Sequence, residues 1–168
     1  MIIQHRVLPT REVLIKDNKG ELTPEELAAV DLMLHFWSTA YTFQAAVYEK
    51  YKKKYGLSEG NITLMMALNH FGSLGILTIA QRVGVKPPTA SVMVKRMLKN
   101  PDPFIELLPT TGDGRAKMVK LTARGEEVLR NELLPGLNGD MVEIASALEP
   151  HEQEEFLRLV RKLSGQQE

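Results

Sequence analysis

From residue 23 to residue 71 apolar positions recur every three or four residues, the period of a helix with one buried face. Thr23-Pro24-Glu25-Glu26 opens the run with a capping hydroxyl, a proline at the first helical position and a glutamate placed to complete a capping box. Leu27, Val30, Leu34, Trp37, Tyr41, Ala45 and Tyr48 then carry one stripe as far as Lys52-Lys53-Lys54 and Gly56. The spacing predicts one long amphipathic helix. Its stripe needs more partner surface than a small domain offers, which favours a second subunit. Ser58 is placed to cap a shorter helix whose inner side is Ile62, Met65, Met66, Ala67, Leu68 and Phe71, ending at Gly72.

Residues 74–125 change pattern repeatedly. Ile76, Ile79, Ala80 and Val83 follow Gly75 at helical spacing, Gly84 turns the chain, and Val85 enters the core between helices. Pro87 and Pro88 stand where a helix tolerates proline, in the first turn. Ala90, Met93, Val94 and Met97 face inward from the helix they open, leaving Thr89, Ser91, Val92, Lys95, Arg96 and Lys99 outside. Phe104, Ile105, Leu107 and Leu108 predict a strand, and Met118, Val119 and Leu121 predict its partner. Thr110 to Arg115, with two glycines around Asp113, form the turn. Helix, tight turn, helix, two strands and a new helix make a winged helix-turn-helix over residues 58–122: a mainly α fold with a three-helix core and a two-stranded β wing. Hydroxyls near a helix start with cations behind them suit entry into a DNA groove. An exposed loop carrying Arg115, followed by Lys117 and Lys120, suits a minor groove, with Asp113 bracing the guanidinium.

After Thr122, helical periodicity returns in Val128, Leu129, Leu133, Leu137, Met141, Ile144, Ala145 and Leu148. Pro135, Gly136 and Gly139 predict a kink or short break within it. Glu149-Pro150 opens a last helix with Phe156, Leu159, Val160 and Leu163 on its apolar side. Residues 1–22 are an arm of short, β-branched apolar bursts, at 1–8 and 13–15, that either packs on a neighbouring subunit or frays.

Charge sharpens this picture. Between Thr78 and Arg124 stand nine Lys or Arg against three acids, a surplus of +6 in a chain of formal net charge zero, so the remainder carries −6. Such segregation is the footprint of a nucleic-acid surface on an acidic body. The 168 residues fit one domain with helical extensions, and the lack of cysteine excludes disulfides and thiolate ligands. No apolar run approaches a membrane span and no secretory leader is recognisable, so the expected location is the cytoplasm. The four histidines, His5, His35, His70 and His151, are scattered, and no catalytic or nucleotide-binding motif is present. The expectation is a protein that is not an enzyme and that holds neither cofactor nor metal.

The run Ile79-Ala80-x-x-Val83-Gly84-Val85, the helix over 87–99, Asp113-x-Arg115 and Leu121-Thr122-x-x-Gly125 resemble the MarR family of transcription regulators over about residues 25–163. That resemblance implies a homodimer built through residues 23–57 and 123–168, binding a pseudo-palindromic duplex site. It implies a repressor relieved by a small aromatic or anionic effector. Pro88, Thr89, Ser91, Val92, Lys95, Arg96, Lys99, Asp113, Arg115 and Lys117 are the expected DNA contacts. His35, Trp37, Tyr41, Met65 and His70 are the expected effector residues. Without cysteine, the thiol switch used by some members is absent. Three features depart from the family: Val92 where a polar contact is common, Lys86 at the usual Ser cap, and Asn100-Pro101-Asp102-Pro103 before the wing. Two other readings remain open: a DtxR-like metal-dependent repressor, suggested by Val85-Lys86-Pro87-Pro88-Thr89, and a winged-helix protein-interaction module without DNA binding.

Overall fold

Thr10 and Thr23 each end an extended stretch and start a helix. In this computed structural model, which describes residues 8–19, 21–108 and 117–165, the Thr10 hydroxyl accepts from the Val13 N–H at 3.3 Å. Helix α1 spans Arg11–Asp17. The arm, whose conformation the sequence leaves open, is thus helical here: a cap, an acidic first turn and the burial of Leu14 outweigh the strand preference of Val13 and Ile15, which stay exposed. The stretch 1–7 of the expected arm lies outside the described residues. Thr23 and Glu26 form the expected reciprocal box, with Glu26 N–H donating to the Thr23 hydroxyl at 3.2 Å and Thr23 N–H to the Glu26 carboxylate at 2.8 Å. Helix α2, Pro24–Tyr55, runs 32 residues to Gly56 in the left-handed conformation. The chain divides after Gly56 into two compact units, and α1 packs on α2 within the first.

The second unit carries the winged helix. Ser58 and Asn61 cap α3, Glu59–Phe71, and a two-residue strand β1, Leu74–Gly75, leads into α4, Ile76–Val83. Helix α5, Pro87–Leu98, precedes strands β2, Ile105–Leu107, and β3, Met118–Leu121. The sheet is antiparallel in the order β1-β3-β2, with Leu74 opposite Val119 and Ile105 opposite Leu121. The third strand is an addition to the two-stranded wing expected from sequence; two residues are too short to show a period of two. Ile62, Leu64, Met65, Ile79, Ile105 and Val119 are completely buried, forming one core beneath α3, α4, α5 and the sheet.

The Leu121-Thr122-x-x-Gly125 motif joins the wing to the C-terminal helices. Thr122 donates its hydroxyl to the Pro103 carbonyl at 2.8 Å, accepts from Gly125 N–H at 3.0 Å, and gives its own N–H to the Phe104 carbonyl at 3.1 Å. It thereby caps α6, Ala123–Val128, and ties that helix to the entrance of β2. Gly125 lies so close to Phe104 that a Cβ there would collide with the Phe104 carbonyl, whose carbon would be 2.9 Å away. Beyond α6 the expected disturbance near Pro135 takes the form of a π-helical turn, Leu129–Leu133, with Leu134 N–H bonding back to the Leu129 carbonyl. Proline cannot donate and its ring crowds the preceding turn, so widening that turn lets the helix continue as α7, Leu134–Ala145. Leu129 and Leu133, both fully buried, seat the wide turn, which packs on α3. Helix α8, Pro150–Leu163, is the last described helix and has no buried residue.

Gly125→Ala should therefore lower unfolding free energy by about 3 kcal/mol, because backbone and not a flexible side chain must move. Thr122→Ala should cost about 1 kcal/mol through loss of the cap. Urea unfolding of both variants measures the order; an unchanged Gly125→Ala midpoint would show that the close approach does not require glycine.

Candidate nucleic-acid interface

Gly84 adopts φ 73°, a left-handed turn that suits glycine, and Val85 N–H bonds the Ala80 carbonyl at 2.9 Å. This closes α4 and aims α5. Ala90, Val94 and Met97 are buried and seat the helix. Pro88, Thr89, Val92, Lys95, Arg96 and Lys99 are exposed on its other side, with Ser91 half-buried at the margin. The structure thus brings six of the ten expected DNA contacts onto one helix and a seventh, Lys99, to its C-cap. Lys117 is exposed immediately before β3, whereas Asp113 and Arg115 lie outside the described residues.

The start of α5 is unusual for a helix facing an anion. Helix N-termini commonly offer several free N–H groups to phosphate, but Pro87 and Pro88 have none. Of the first three positions only Thr89 has an N–H to give. Lys86, at the N-cap without a side-chain cap bond, is exposed at the same end and supplies a charge where the prolines remove donors. Sequence reasoning treats Lys86 as a cap departure; its exposure beside two prolines marks it as part of the surface.

Three of the cations counted in the sequence serve the fold. Lys120 pairs across the strands with Glu106 at 2.9 Å, its direct register partner. Arg124 pairs with Asp102 at 2.8 Å and lies over the Phe104 ring at 5.6 Å. Arg82 lies over the Phe71 ring at 4.2 Å. Among the described residues, no acidic partner stands by Lys86, Lys95, Arg96, Lys99 or Lys117. The uncompensated charge is therefore concentrated on α5 and the wing entrance, while acidic and aromatic neighbours brace the cations at the rim. The prolines at 101 and 103 flank Asp102 and hold the carboxylate that anchors Arg124, which gives the lengthened connection a structural role.

The five residues expected to meet an effector are differently placed. Trp37 and Tyr41 are exposed on one stripe of α2, four residues apart. His35 is also exposed, with Nδ1 donating to the Asp31 carbonyl at 2.9 Å and lying 3.2 Å from its carboxylate. His70, near the end of α3, sits edge-on to Phe71 with ring centroids 4.4 Å apart. Met65 is fully buried and serves the core. Among the described residues no three His, Asp or Glu side chains are placed to hold a metal ion, and no helix is long and apolar enough to cross a membrane.

Solved structures share this architecture at low sequence identity. The YusO protein from Bacillus subtilis superposes with a TM-score of 0.64 at 24% identity, covering 86% of this chain and 99% of that one. The PcaV transcriptional regulator from Streptomyces coelicolor gives 0.63 at 22% identity over 76% and 93%. BpsR from Bordetella bronchiseptica, whose DNA binding is regulated by 6-hydroxynicotinic acid, gives 0.62 at 19% identity over 77% and 96%. No family model and no curated protein sequence matches the chain. The fold of this chain is the mainly helical winged helix of those structures.

If α5 is the charged surface for a duplex, Lys95→Gln and Lys99→Gln should each reduce the slope of log affinity against log salt by about 0.9 for every phosphate no longer neutralised. Lys120→Gln should leave the slope unchanged, because its charge is spent on Glu106. Fluorescence anisotropy on a nonspecific duplex across salt concentrations distinguishes them; equal slopes for all three variants would dissolve the assignment.

Proposed function

We propose that this chain is a transcriptional regulator of the MarR type, a homodimer that binds a pseudo-palindromic duplex and represses transcription until a small aromatic or anionic effector releases it. The observation that carries the proposal is the outer face of α5, where cations with no acidic partner among the described residues flank two hydroxyl side chains on a helix seated by a buried back. In this mechanism each α5 enters a major groove. Thr89 and Ser91 contact base edges or phosphate, Lys95 and Lys99 contact phosphate, and Pro88, Arg96 and Lys117 line the approach. Arg115 enters the adjacent minor groove from the wing, with Asp113 beside it to orient the guanidinium.

The dimer surface in this proposal comes from both ends of the described chain. Phe156, Leu159 and Leu163 are exposed along one side of α8, and Met141 and Val142 are exposed on α7. Leu32 and Trp37 are exposed on α2. Each unit by itself thus leaves large apolar side chains in water, and a twofold partner presenting the same residues would cover them. Two winged domains related by that axis present their α5 helices to one side of a duplex. Effector binding then acts by changing their separation and so the population that fits DNA. Trp37 and Tyr41, one helical turn apart on α2, supply aromatic walls for such a ligand, and His35 from the other side of a helix would supply a polar handle only from a second α2; support comes from the regulation of BpsR by an aromatic acid.

Selection from a random duplex pool should enrich a palindrome with half-sites about 10 base pairs apart. Failure of the protein to bind any duplex at low salt would refute the regulator proposal and favour a protein-interaction module. Light scattering should give twice the 18.9 kDa chain mass, and Leu159→Lys should shift it towards one chain and weaken binding to the full palindrome more than to a half-site. A monomeric wild type with full affinity would overturn the dimer.

A further inference from the structure

Val92 is the one large apolar side chain on the outer face of α5, and it is 48% exposed. Its neighbours two positions away on either side, Ala90 and Val94, are buried, so the Val92 side chain points away from the core. On the same stripe stand Thr89, three residues before, and Lys95 and Arg96, three and four residues after, all exposed. Local stability does not call for valine there: a β-branched residue on an exposed helical face loses rotamer freedom and leaves methyl groups hydrated.

A major groove offers acceptors, donors and a single kind of apolar group, the 5-methyl of thymine. Valine can neither donate nor accept, so a base pair it recognises must be one that presents that methyl. Of the four exposed neighbours at helical spacing, Pro88, Thr89, Lys95 and Arg96, three are polar or charged, which disfavours an apolar protein surface as the partner, since docking would strand those groups away from water. We infer that Val92 is a specificity-determining residue that packs on a thymine 5-methyl, selecting T·A at one position in each half-site. This rests on the proposed entry of α5 into the major groove, and it gives the departure from a polar residue at this position a chemical meaning. Lys95 and Arg96 then hold the helix by charge alone, without sequence preference, and the valine supplies a preference that salt does not screen.

The experiment uses the duplex enriched by the full-length protein. Each thymine of a half-site is replaced in turn by deoxyuridine, which removes the methyl and leaves every pairing and hydrogen-bonding group. At one position per half-site the wild type should lose about fourfold in affinity, the equivalent of one buried methyl, and about 15-fold when both half-sites are changed. Val92→Ala, on the exposed face and expected to fold normally by circular dichroism, should bind the thymine duplex more weakly by a similar factor and should no longer distinguish thymine from deoxyuridine there. The salt slope should be the same for both proteins. Equal wild-type affinity for every thymine and deoxyuridine duplex would overturn the inference, as would a Val92→Ala protein that keeps the discrimination. Loss of binding to all duplexes at low salt is a different outcome, because it removes the regulator proposal itself.

Discussion

The backbone of Gly125 lies against the Phe104 carbonyl with no room for a side chain, and Thr122 bonds both ends of the same junction. That contact fixes where α6 leaves the sheet. Leu121 and Ile105 are held opposite one another just beside it, so the base of the wing cannot slip by one residue without turning its buried side chains to water. Through α6 and the π turn the same junction reaches α3, against which Leu129 and Leu133 are buried. Because α3, α4 and α5 pack as one core, this close approach of two backbone segments about twenty residues apart in sequence ties the sheet and α6 to the core from which the Gly84 turn aims α5.

Electrostatics is organised around that frame. A cation with an acid or aromatic ring beside it contributes to the local geometry, as Arg124 does by tying α6 to Asp102, and is less available to an outside anion. A cation without one keeps its field. The winged region separates the two kinds in space: braced charges lie at the sheet, the α6 junction and the end of α4, and among the described residues open ones lie along α5, at its ends and at Lys117. The two prolines at the start of α5 reinforce the division, since they remove backbone donors that would otherwise grip phosphate without regard to side-chain identity. In the proposed mechanism, recognition is thereby shifted onto side chains.

Much of this was legible in the chain. The capping pair of Thr23 with Glu26, the cap at Ser58, the seating line Ala90, Val94 and Met97, and the turn at Gly84 are local features whose physics acts within four or five residues. The α1 helix shows how a local cue can go unused: Thr10, Glu12 and Lys16 stand as cap and dipole partners, but the β-branched residues between them obscure the helical signal. Pro135 announced a disturbance, but whether a helix breaks, kinks or widens depends on what lies against it.

The sequence by itself determined the helices from residue 23 onward, the seated faces of α3, α4 and α5, the order of a winged helix and the surplus of cations between Thr78 and Arg124, because periodicity, capping and composition are properties of neighbouring residues. Only the tertiary structure decided which of those cations face acids, why position 125 must be glycine, that β1 joins the wing as a third strand, and that Met65 belongs wholly to the core. Each of these depends on groups far apart in the chain meeting at a few ångströms, and no local pattern records such a meeting.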